Sequence, residues 1–321
     1  MKRIFFLLSI FVGVFAANRA TAATEPTDSL YLMSYFKGPA QHLFYAVSED
    51  GLNWEEANGG QPVFCAFDDR IWMRDPYMQR VDKDGTTTYH LVHTWGWDNP
   101  AIFHWESSDL KNWHAADGGT DTEAGKIYVM DGKNGNPTSP NAWAPEFTYV
   151  PEEDLYYVYW SSRVDGRQLH YVTWTRDWLN FSTPQVLFDP GITAIDLTVV
   201  PHNGKYYGFY KDERNGRKTI LRAVTTSLNP EVDTFKGMEE VYPEGFNTEV
   251  EGPSVFRKYD GSGWIACSDE FNGDKGLIFA ECDDLEGPWR IIPKDKITNV
   301  PDVKHGSVIK VSRKDVAPFL K

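Results

Sequence analysis

Short stretches of the chain alternate between apolar and polar or small residues, which is the period of β-strands whose side chains point to opposite faces of a sheet. Turns rich in Gly, Asn and Asp separate these stretches, and no long amphipathic helical pattern occurs. The clearest examples are Leu30–Phe36, Leu43–Val47, Tyr156–Trp160 and Tyr206–Tyr210. The pattern predicts an all-β protein.

A weak internal repeat divides the chain into units of similar length. Five times, a short polar segment that usually contains Asp leads to an aromatic residue. These segments recur roughly every 55–70 residues, a spacing typical of β-propellers, in which each unit is one four-stranded blade. The aromatic residues are Trp54, Trp113, Phe181, Phe235 and Trp289.

A second series of five polar motifs leads directly into apolar strands. If each motif begins the innermost strand of a blade, its polar side chain lies near the central axis. The strand from His305 to Val311 has little chain after it, whereas Leu30–Phe36 and Leu43–Ser48 precede the first inner strand. We therefore predict a five-bladed β-propeller closed by N-terminal strands that join the C-terminal inner strand. The side chains gathered at its centre would be Asp75, Glu146, Asp196, Glu251 and His305.

The first residues have the form of a secretory signal peptide. Lys2 and Arg3 precede an almost wholly apolar run, Ile4–Ala17, and small residues at Ala20–Ala22 suit a signal peptidase. We expect cleavage after Ala22, so that residues 23–321 form a single catalytic domain of a secreted or periplasmic protein. A membrane anchor is the alternative, but the apolar run is short for a bilayer.

The charge and composition of the chain limit the classes of binding partner that we expect. The formal net charge of −14 opposes nucleic acid and anionic membranes, so we expect neither as a partner and expect a monomer. Aromatic residues make up 15% of the chain, which suits either stacking on sugar rings or packing between sheets. Cys65, Cys267 and Cys282 are too few for a disulfide scaffold; we expect buried thiols, although one bridge is compatible with export.

The inner-strand motifs also carry a family resemblance. In order they read Asp-Pro at 75–76, Trp-Ala-Pro-Glu at 143–146, Ile-Asp at 195–196, Glu-Gly-Pro at 251–253 and His-Gly-Ser at 305–307. This series resembles glycoside hydrolase family 43 over essentially the whole chain after the leader. The resemblance implies a five-bladed, inverting glycosidase, in a family made up mostly of α-L-arabinofuranosidases, β-xylosidases, arabinanases and exo-galactanases.

Inverting hydrolysis needs one carboxylate to activate water and one carboxylic acid to protonate the leaving oxygen, roughly 6.5–9.5 Å apart. The resemblance implies that Asp75 is the general base and Glu251 the general acid, while Asp196 tunes and orients the acid. An ordinary turn role is the alternative for Asp75, which precedes Pro76. Glu249 is the alternative acid, because it lies two residues before Glu251 on the same strand face.

Other residues near the inner strands have weaker assignments. We expect Glu146 to line the pocket, where it would contact a sugar hydroxyl or pair with Arg74, itself a candidate substrate contact. The resemblance places His305 at the channel floor as ligand of a cation, with calcium the candidate, or of an ordered water. We expect no cofactor to be required for the reaction, and no cluster of further His or Asp ligands is evident. The candidates for a sugar-binding platform are Trp72, Trp95, Trp97 and Trp143.

The resemblance favours release of terminal α-L-arabinofuranosyl residues from a plant polysaccharide. Alternatives are β-xylosidase, exo-galactosidase or galactofuranosidase activity, and a propeller that binds carbohydrate without cleaving it, which would not need three acids. Levanase-like and neoagarooligosaccharide hydrolases are a further alternative, but the levanase type is retaining and usually carries a second β-sandwich domain. The loops expected to set specificity are Thr94–Pro100, Gly118–Pro140, Lys211–Arg217 and Asp269–Gly276.

Overall fold

The computed structural model describes residues 28–38, 40–65, 72–244, 246–272 and 276–320. The predicted signal peptide and its cleavage site at Ala22 lie outside these residues. Within the described ranges, 20 strands form five four-stranded antiparallel sheets, so the prediction of an all-β, five-bladed propeller is confirmed. No helix in this part of the chain is long and apolar enough to cross a membrane.

Each blade runs from an innermost strand at the axis to a short outermost strand. Blade 1 contains β4 (Met73–Lys83), β5 (Thr86–Trp95), β6 (Ala101–Ser107) and β7 (Lys126–Tyr128). Blade 2 contains β8 (Trp143–Val150), β9 (Leu155–Val164), β10 (Arg167–Thr175) and β11 (Gln185–Phe188). Blade 3 contains β12 (Ala194–His202), β13 (Lys205–Asp212), β14 (Ile220–Thr225) and β15 (Lys236–Glu240).

The remaining two blades complete the ring. Blade 4 contains β16 (Glu251–Arg257), β17 (Trp264–Asp269), β18 (Leu277–Cys282) and β19 (Arg290–Ile291). Blade 5 contains β20 (Val303–Ser312), β1 (Ser29–Lys37), β2 (Phe44–Ser48) and β3 (Glu55–Glu56). The described helices are short, namely an α-helix at Arg313–Val316 and 3₁₀ turns at Asn58–Gly60, Lys294–Lys296 and Ala317–Phe319.

Blade 5 closes the ring with strands from both ends of the described chain. β1 pairs antiparallel with β20, from Ser29 opposite Ser312 to Lys37 opposite Val303. β2 and β3 then extend the same sheet outward. The predicted closure is confirmed, and it removes the unpaired strand edge that an open sheet would present.

The hydrophobic core lies between the blades. In the described chain, five clusters of buried side chains occupy the five interfaces between neighbouring blades, and aromatic rings make up much of each one. Because each interface is filled in the same way, the strand starts are held at fixed positions around the axis. One pair of residues from each cluster is Tyr45 and Trp105, Val92 and Tyr156, Tyr159 and Tyr210, Phe209 and Trp264, and Phe279 and Tyr35.

The repeated aromatic residues lie in the turn between the third and fourth strands of each blade, as the repeat predicts. Asp50 shows how such a turn is built: its Oδ1 accepts the backbone N–H groups of Leu52 and Asn53, each at 2.8 Å. The side-chain amide of Asn53 donates to the other oxygen of Asp50. Asp109 and Asp177 form the same bonds in blades 1 and 2. The polar part of the repeat is therefore a hydrogen-bonded turn.

The cysteines are structural. Cys267 and Cys282 are buried thiols, as predicted, whereas Cys65 is half-buried. Burial raises the pKa of both buried thiols to about 12, so neither forms the reactive thiolate at neutral pH. Cysteine chemistry therefore has no part in the site described next.

Candidate active site

In the described chain, all five inner strands begin with the same backbone irregularity. Near each start the pairing register shifts, and one residue adopts a left-handed backbone conformation. A positive φ is uncommon outside glycine, and it persists mainly where the surrounding structure or function requires it. The five residues are Asp75 (φ 50°), Ala144 (φ 44°), Asp196 (φ 56°), Gly252 (φ 53°) and His305 (φ 45°).

This equivalence corrects the sequence comparison of the five motifs. In blade 2 the residue equivalent to Asp75 and Asp196 is Ala144, while Glu146 lies two positions further along β8. In blade 4 the equivalent residue is Gly252, so Glu251 precedes it by one position. Asp75, Asp196 and His305 therefore lie at the left-handed position itself, Glu251 one residue before it and Glu146 two residues after it. These three backbone positions place the side chains at different depths along the central channel.

His305 contacts all three predicted catalytic carboxylates. Its Nδ1 lies 3.1 Å from Asp75 Oδ1, and its Nε2 lies 3.5 Å from Asp196 Oδ2. The same Nε2 lies 3.8 Å from Glu251 Oε1. Asp75 and Glu251 thus approach the imidazole from different nitrogens, with the ring between them. The structure brings together the predicted base, acid and tuning residue.

The charges at this centre balance one another. Burial alone would lower the pKa of His305, but the carboxylates of Asp75, Asp196 and Glu251 outweigh burial and raise the pKa to about 10. Burial also opposes ionisation of Asp196. Its pKa is nevertheless lowered, because His305, Lys211 and the backbone N–H of Gly252 at 3.1 Å stabilise the carboxylate. Asp196 is therefore a buried anion beside an imidazolium.

Lys211 holds the predicted acid from the opposite side. Its side chain is only 3% exposed, and its Nζ lies 2.7 Å from Glu251 Oε2 and 2.7 Å from Glu213 Oε2. The ammonium also lies 4.2 Å from the centre of the Phe271 ring. Burial disfavours the ammonium, but Glu251 and Asp196 raise the pKa of Lys211 above its ordinary value. Lys211 is therefore a buried cation that orients Glu251.

These groups surround a cavity of about 320 Å³. This volume lies at the lower end of the range for small-molecule sites, and it suits a single sugar ring with its nearest substituents. The base, the acid and His305 are at its inner end, and aromatic side chains form part of its wall. The lining residues are Arg74, Asp75, Thr94, Gly96, Trp97, Trp143, Ile195, Asp196, Lys211, Glu213, Glu251, Phe271 and His305.

Two of the four predicted platform tryptophans line this cavity. The indole N–H of Trp143 donates to the carbonyl oxygen of Trp97 at 2.6 Å, and the two rings meet edge to face with centroids 5.8 Å apart. Arg74, another predicted contact, places its guanidinium 4.4 Å from the centre of the Trp97 ring. This corner of the cavity is therefore fixed by a cation–π contact and a hydrogen bond.

The other two tryptophans lie elsewhere. Thr94 lines the cavity, and because side chains alternate along a strand, Trp95 faces the opposite way and packs against the core between blades 5 and 1. Trp72 lies on the surface beside Gly96, outside the cavity lining. Neither position supports direct contact with a sugar held in the cavity.

Glu146 lies deeper, in the central channel. Burial, reinforced by the charge of Asp196, raises the pKa of Glu146 well above its ordinary value and favours its neutral form. The carboxyl is hydrogen-bonded to the Thr198 side chain, and among the described residues its Oε2 has no partner. Arg74, the alternative ion-pair partner, instead stacks on Phe36 and Trp97.

A calcium ion at His305 does not suit the atoms gathered there. Ca²⁺ takes about six to eight oxygen ligands. The atoms close enough to share an ion are one oxygen each from Asp196 and Glu251 and one nitrogen of His305. Oε2 of Glu251 already accepts a hydrogen bond from the ammonium of Lys211. These residues do not fit calcium, and we assign no step of the reaction to a metal.

Three residues of the site were not singled out by the sequence analysis. Lys211 and Glu213 fall in one predicted rim loop and Phe271 in another, but their chemistry was not predicted. Lysine is rarely buried unless it is paired, and its two partners come from different strands or loops. The signal that could have found Lys211 is its place directly after the aromatic run Tyr206–Tyr210 within strand β13.

Comparison with known proteins agrees with the fold. A family model described as "Probable glycosyl hydrolase domain", from the family-43-related glycoside hydrolases, matches residues 27–317. The chain belongs to this family of glycosyl hydrolase domains, and the predicted resemblance to family 43 is confirmed.

Individual relatives are more distant. An α-L-arabinofuranosidase of Bifidobacterium longum subsp. longum is 28% identical over 279 residues, which cover 69% of this chain and 25% of that protein. This chain therefore spans about a quarter of that relative's length.

Two solved structures share the fold. One is an endo-1,4-β-xylanase of Bacteroides thetaiotaomicron, with a TM-score of 0.58, 14% identity, and coverage of 84% of this chain and 91% of that one. The other is the catalytic domain of an α-L-arabinofuranosidase of Coprinopsis cinerea, with a TM-score of 0.51, 17% identity and 72% coverage of both chains. Their different names show that this fold carries more than one substrate specificity.

Proposed function

We propose that the protein is an inverting, exo-acting glycoside hydrolase that removes terminal α-L-arabinofuranosyl residues from the side chains of a neutral plant polysaccharide. The observation that carries this proposal is the placement of Asp75 and Glu251 on different nitrogens of one imidazole, at the inner end of a cavity of single-sugar size. The family and the arabinofuranosidase relative support the same reaction class.

The proposed step follows from this geometry. The Asp75 carboxylate takes a proton from a water molecule, whose oxygen then attacks the anomeric carbon. The bond from that carbon to the glycosidic oxygen breaks, and Glu251 gives its proton to the departing oxygen. Each turnover consumes one water, and solvent returns the proton from Asp75 to Glu251. The positions of Asp75 and Glu251 at different nitrogens of His305 support two separate carboxyl groups, as the inverting mechanism requires.

The cavity supports exo action. A space of about 320 Å³ holds little more than one sugar ring, whereas a chain-internal cut needs a groove open at both ends. Arg74 and Lys211 lie on the wall and can donate hydrogen bonds to sugar hydroxyls. The imidazolium of His305 lies beside the reacting centre, with its Nδ1 3.1 Å from Asp75 Oδ1, and it orients that side chain.

A panel of aryl glycosides tests the proposal. Purified protein is incubated with 4-nitrophenyl α-L-arabinofuranoside, β-D-xyloside, β-D-galactoside and β-D-galactofuranoside, and release of nitrophenol is followed. We expect the arabinofuranoside to be cleaved fastest. Preferential cleavage of another member would move the specificity to that sugar, and no cleavage of any member, together with sugar binding, would favour a non-catalytic binding propeller.

The proposal also covers the state in which the enzyme acts. We propose a monomer, exported to the periplasm or beyond after cleavage following Ala22, which needs no metal or other cofactor. The leader-like pattern of residues 1–22 supports export. N-terminal sequencing of the exported protein, size-exclusion chromatography, and assay after dialysis against a chelator test these three points separately.

A further inference from the structure

The exposed aromatic side chains of the described chain are gathered in one place. Its exposed large aromatic residues are Trp72 (55% exposed), Trp97 (57%) and Tyr128 (49%), and all three belong to blade 1 or directly adjoin it. The other exposed large hydrophobic side chains are aliphatic and lie elsewhere, for example Leu179 after β10 and Val232 before β15. Random exposure of a few large side chains would not place every aromatic one at a single blade.

The three rings follow the edge of blade 1 that carries the cavity, from the axis outward. Trp72 immediately precedes β4, Trp97 lies in the connection between β5 and β6, and Tyr128 ends β7. Strand pairing places these points at the same edge, because Met73 is opposite Trp95 and Ala101 is opposite Tyr128. Neighbouring strands are about 4.8 Å apart, so the row spans about 14 Å, enough for more than one sugar residue.

Two of the three residues, Trp97 and Tyr128, have contacts that help to hold them in place. Trp97 lies between the Arg74 guanidinium at 4.4 Å and the edge of Trp143 at 5.8 Å. At the outer end, Lys126 Nζ lies 5.2 Å from the centre of the Tyr128 ring. Asn136 also donates its side-chain N–H to the Tyr128 carbonyl at 3.0 Å. A surface ordered before binding loses less entropy when a ligand binds.

We propose that Trp72, Trp97 and Tyr128 bind the main chain of a neutral polysaccharide as it leads out of the cavity across blade 1. The proposal rests on the proposed function, since it places the terminal sugar in the cavity and the rest of the substrate on this row. Trp97 belongs to both, because it lines the cavity and is the middle ring of the row. Flat aromatic faces stack on the C–H faces of sugar rings, and the net charge of −14 opposes a polyanionic polymer.

Trp72→Ala and Tyr128→Ala test the row, because neither residue lines the cavity. Binding is measured by electrophoresis in gels containing arabinan, arabinoxylan or polygalacturonate, and catalysis by kcat/KM on the aryl glycoside that the wild-type protein cleaves. We expect each variant to bind one of the two neutral polymers about three- to tenfold more weakly than wild type. Their kcat/KM on the aryl glycoside should stay within about twofold of the wild-type value, and Leu179→Ala, which removes an equally exposed side chain from blade 2, should behave as wild type in both assays.

The outcomes separate the two proposals. Suppose that the wild-type protein cleaves the aryl glycoside but both variants bind the neutral polymers as tightly as it does. The proposal that the row binds the main chain is then overturned, and the proposed function stands. If no glycoside is cleaved but polymer binding still depends on Trp72 and Tyr128, the proposed function fails and the row stands. If the wild-type protein is retarded in gels that contain polygalacturonate but not in gels that contain the neutral polymers, the proposal that the bound main chain is neutral is overturned.

Discussion

The ammonium of Lys211 lies 2.7 Å from Oε2 of Glu251, which makes the two oxygens of the predicted acid unequal. Oε2 accepts a hydrogen bond from Lys211, whereas Oε1 faces His305 across 3.8 Å. Oε2 of Glu213 lies 2.7 Å from the same ammonium and offsets its charge. Oε1 is therefore the oxygen left to carry the proton that the leaving group receives.

Lys211→Met should impair catalysis through the position of Glu251. We expect kcat to fall about tenfold to a hundredfold on substrates with poor leaving groups, because a buried bond to a charged group is lost, with a smaller effect on KM. Substrates with activated phenol leaving groups should lose much less. The measurement is kcat and KM across a series of aryl glycosides of graded leaving-group acidity.

Two companion variants separate positioning from general damage. Lys211→Arg keeps the charge and a donor, so it should recover part of the loss. Lys218→Met removes a second ion pair of Glu213 without touching Glu251, and it should behave as wild type. An equal loss on all leaving groups in Lys211→Met would show that the residue only supports the fold.

Asp75→Asn should abolish turnover while sugar binding and the fold are retained. The amide has the shape of the carboxylate but does not deprotonate water, and loss of a general base typically costs on the order of 10²–10⁴ in rate. Turnover is followed on the cleaved aryl glycoside, and binding of the monosaccharide by calorimetry. Asp82→Asn, at the far, exposed end of the same strand, is the control. Near-wild-type activity of Asp75→Asn would remove this residue from the mechanism.

Glu251→Gln should lose most activity on natural oligosaccharides and keep far more on a dinitrophenyl glycoside. The reason is that a sugar hydroxyl leaves only when protonated, whereas dinitrophenolate departs as an anion. Glu249→Gln is the matched control, since the Glu249 carboxylate binds the Asn272 side chain on the surface and does not line the cavity. If Glu249→Gln alone shows the leaving-group dependence, the acid is Glu249.

The product should first appear with inverted anomeric configuration. A single displacement by water reverses the configuration at the anomeric carbon, whereas a covalent intermediate would reverse it twice. Proton NMR during the first minutes of hydrolysis distinguishes the two anomers before mutarotation mixes them. Initial appearance of the retained anomer would contradict the assignment of Asp75 as a base and make it a nucleophile.

Asp269 should make stability depend on pH. Burial, against the opposing effect of His305, raises the pKa of the Asp269 carboxyl from 3.8 to about 6. The folded chain thus binds this proton more tightly than the unfolded chain, so the stability contributed by Asp269 is present below about pH 4 and is lost as the pH rises through 6. Asp269→Asn does not ionise. The free energy of unfolding should therefore shift in favour of the variant by up to about 3 kcal/mol between pH 4 and pH 7.

Urea unfolding of both proteins at pH 4, 5.5 and 7 measures this shift. The ion pair with Lys304, at 3.3 Å in the wild-type protein, forms only when Asp269 is ionised, so its effect is already contained in the folded-state pKa and is part of the same titration. A difference between the two proteins that stays constant from pH 4 to pH 7 would show that Asp269 does not titrate in this range.

Local patterns were enough to predict the blades and the gathering of the carboxylates. Alternating strands and repeated turns act within a few residues, and the motifs at Asp75, Asp196, Glu251 and His305 each mark the start of an inner strand. A propeller places every such start near one axis, so distant positions in the chain become neighbours without any long-range signal being read.

Features that depend on one particular face or partner could not be predicted in this way. Trp95 was predicted to face the substrate, but strand alternation gives two faces and does not say which one borders the cavity. Lys211 was missed because its role arises chiefly from Glu251, which lies 40 residues further along the chain on β16. Glu146 was wrongly taken as the blade 2 equivalent of Asp75 and Asp196. The sequence motif alone does not show that Ala144, two residues earlier, adopts the equivalent backbone conformation.

The shared left-handed conformation at the five strand starts has a consequence for how this enzyme could change. Asp, Ala, Gly and His all occupy that position, so the backbone conformation there is independent of the side chain it carries. The side chain at this position can therefore be substituted in one blade at a time while the backbone of the propeller is retained. An acid introduced at Ala144 would project toward the axis from a position of blade 2 that now carries only a methyl group. Both natural variation and protein engineering could introduce such a side chain.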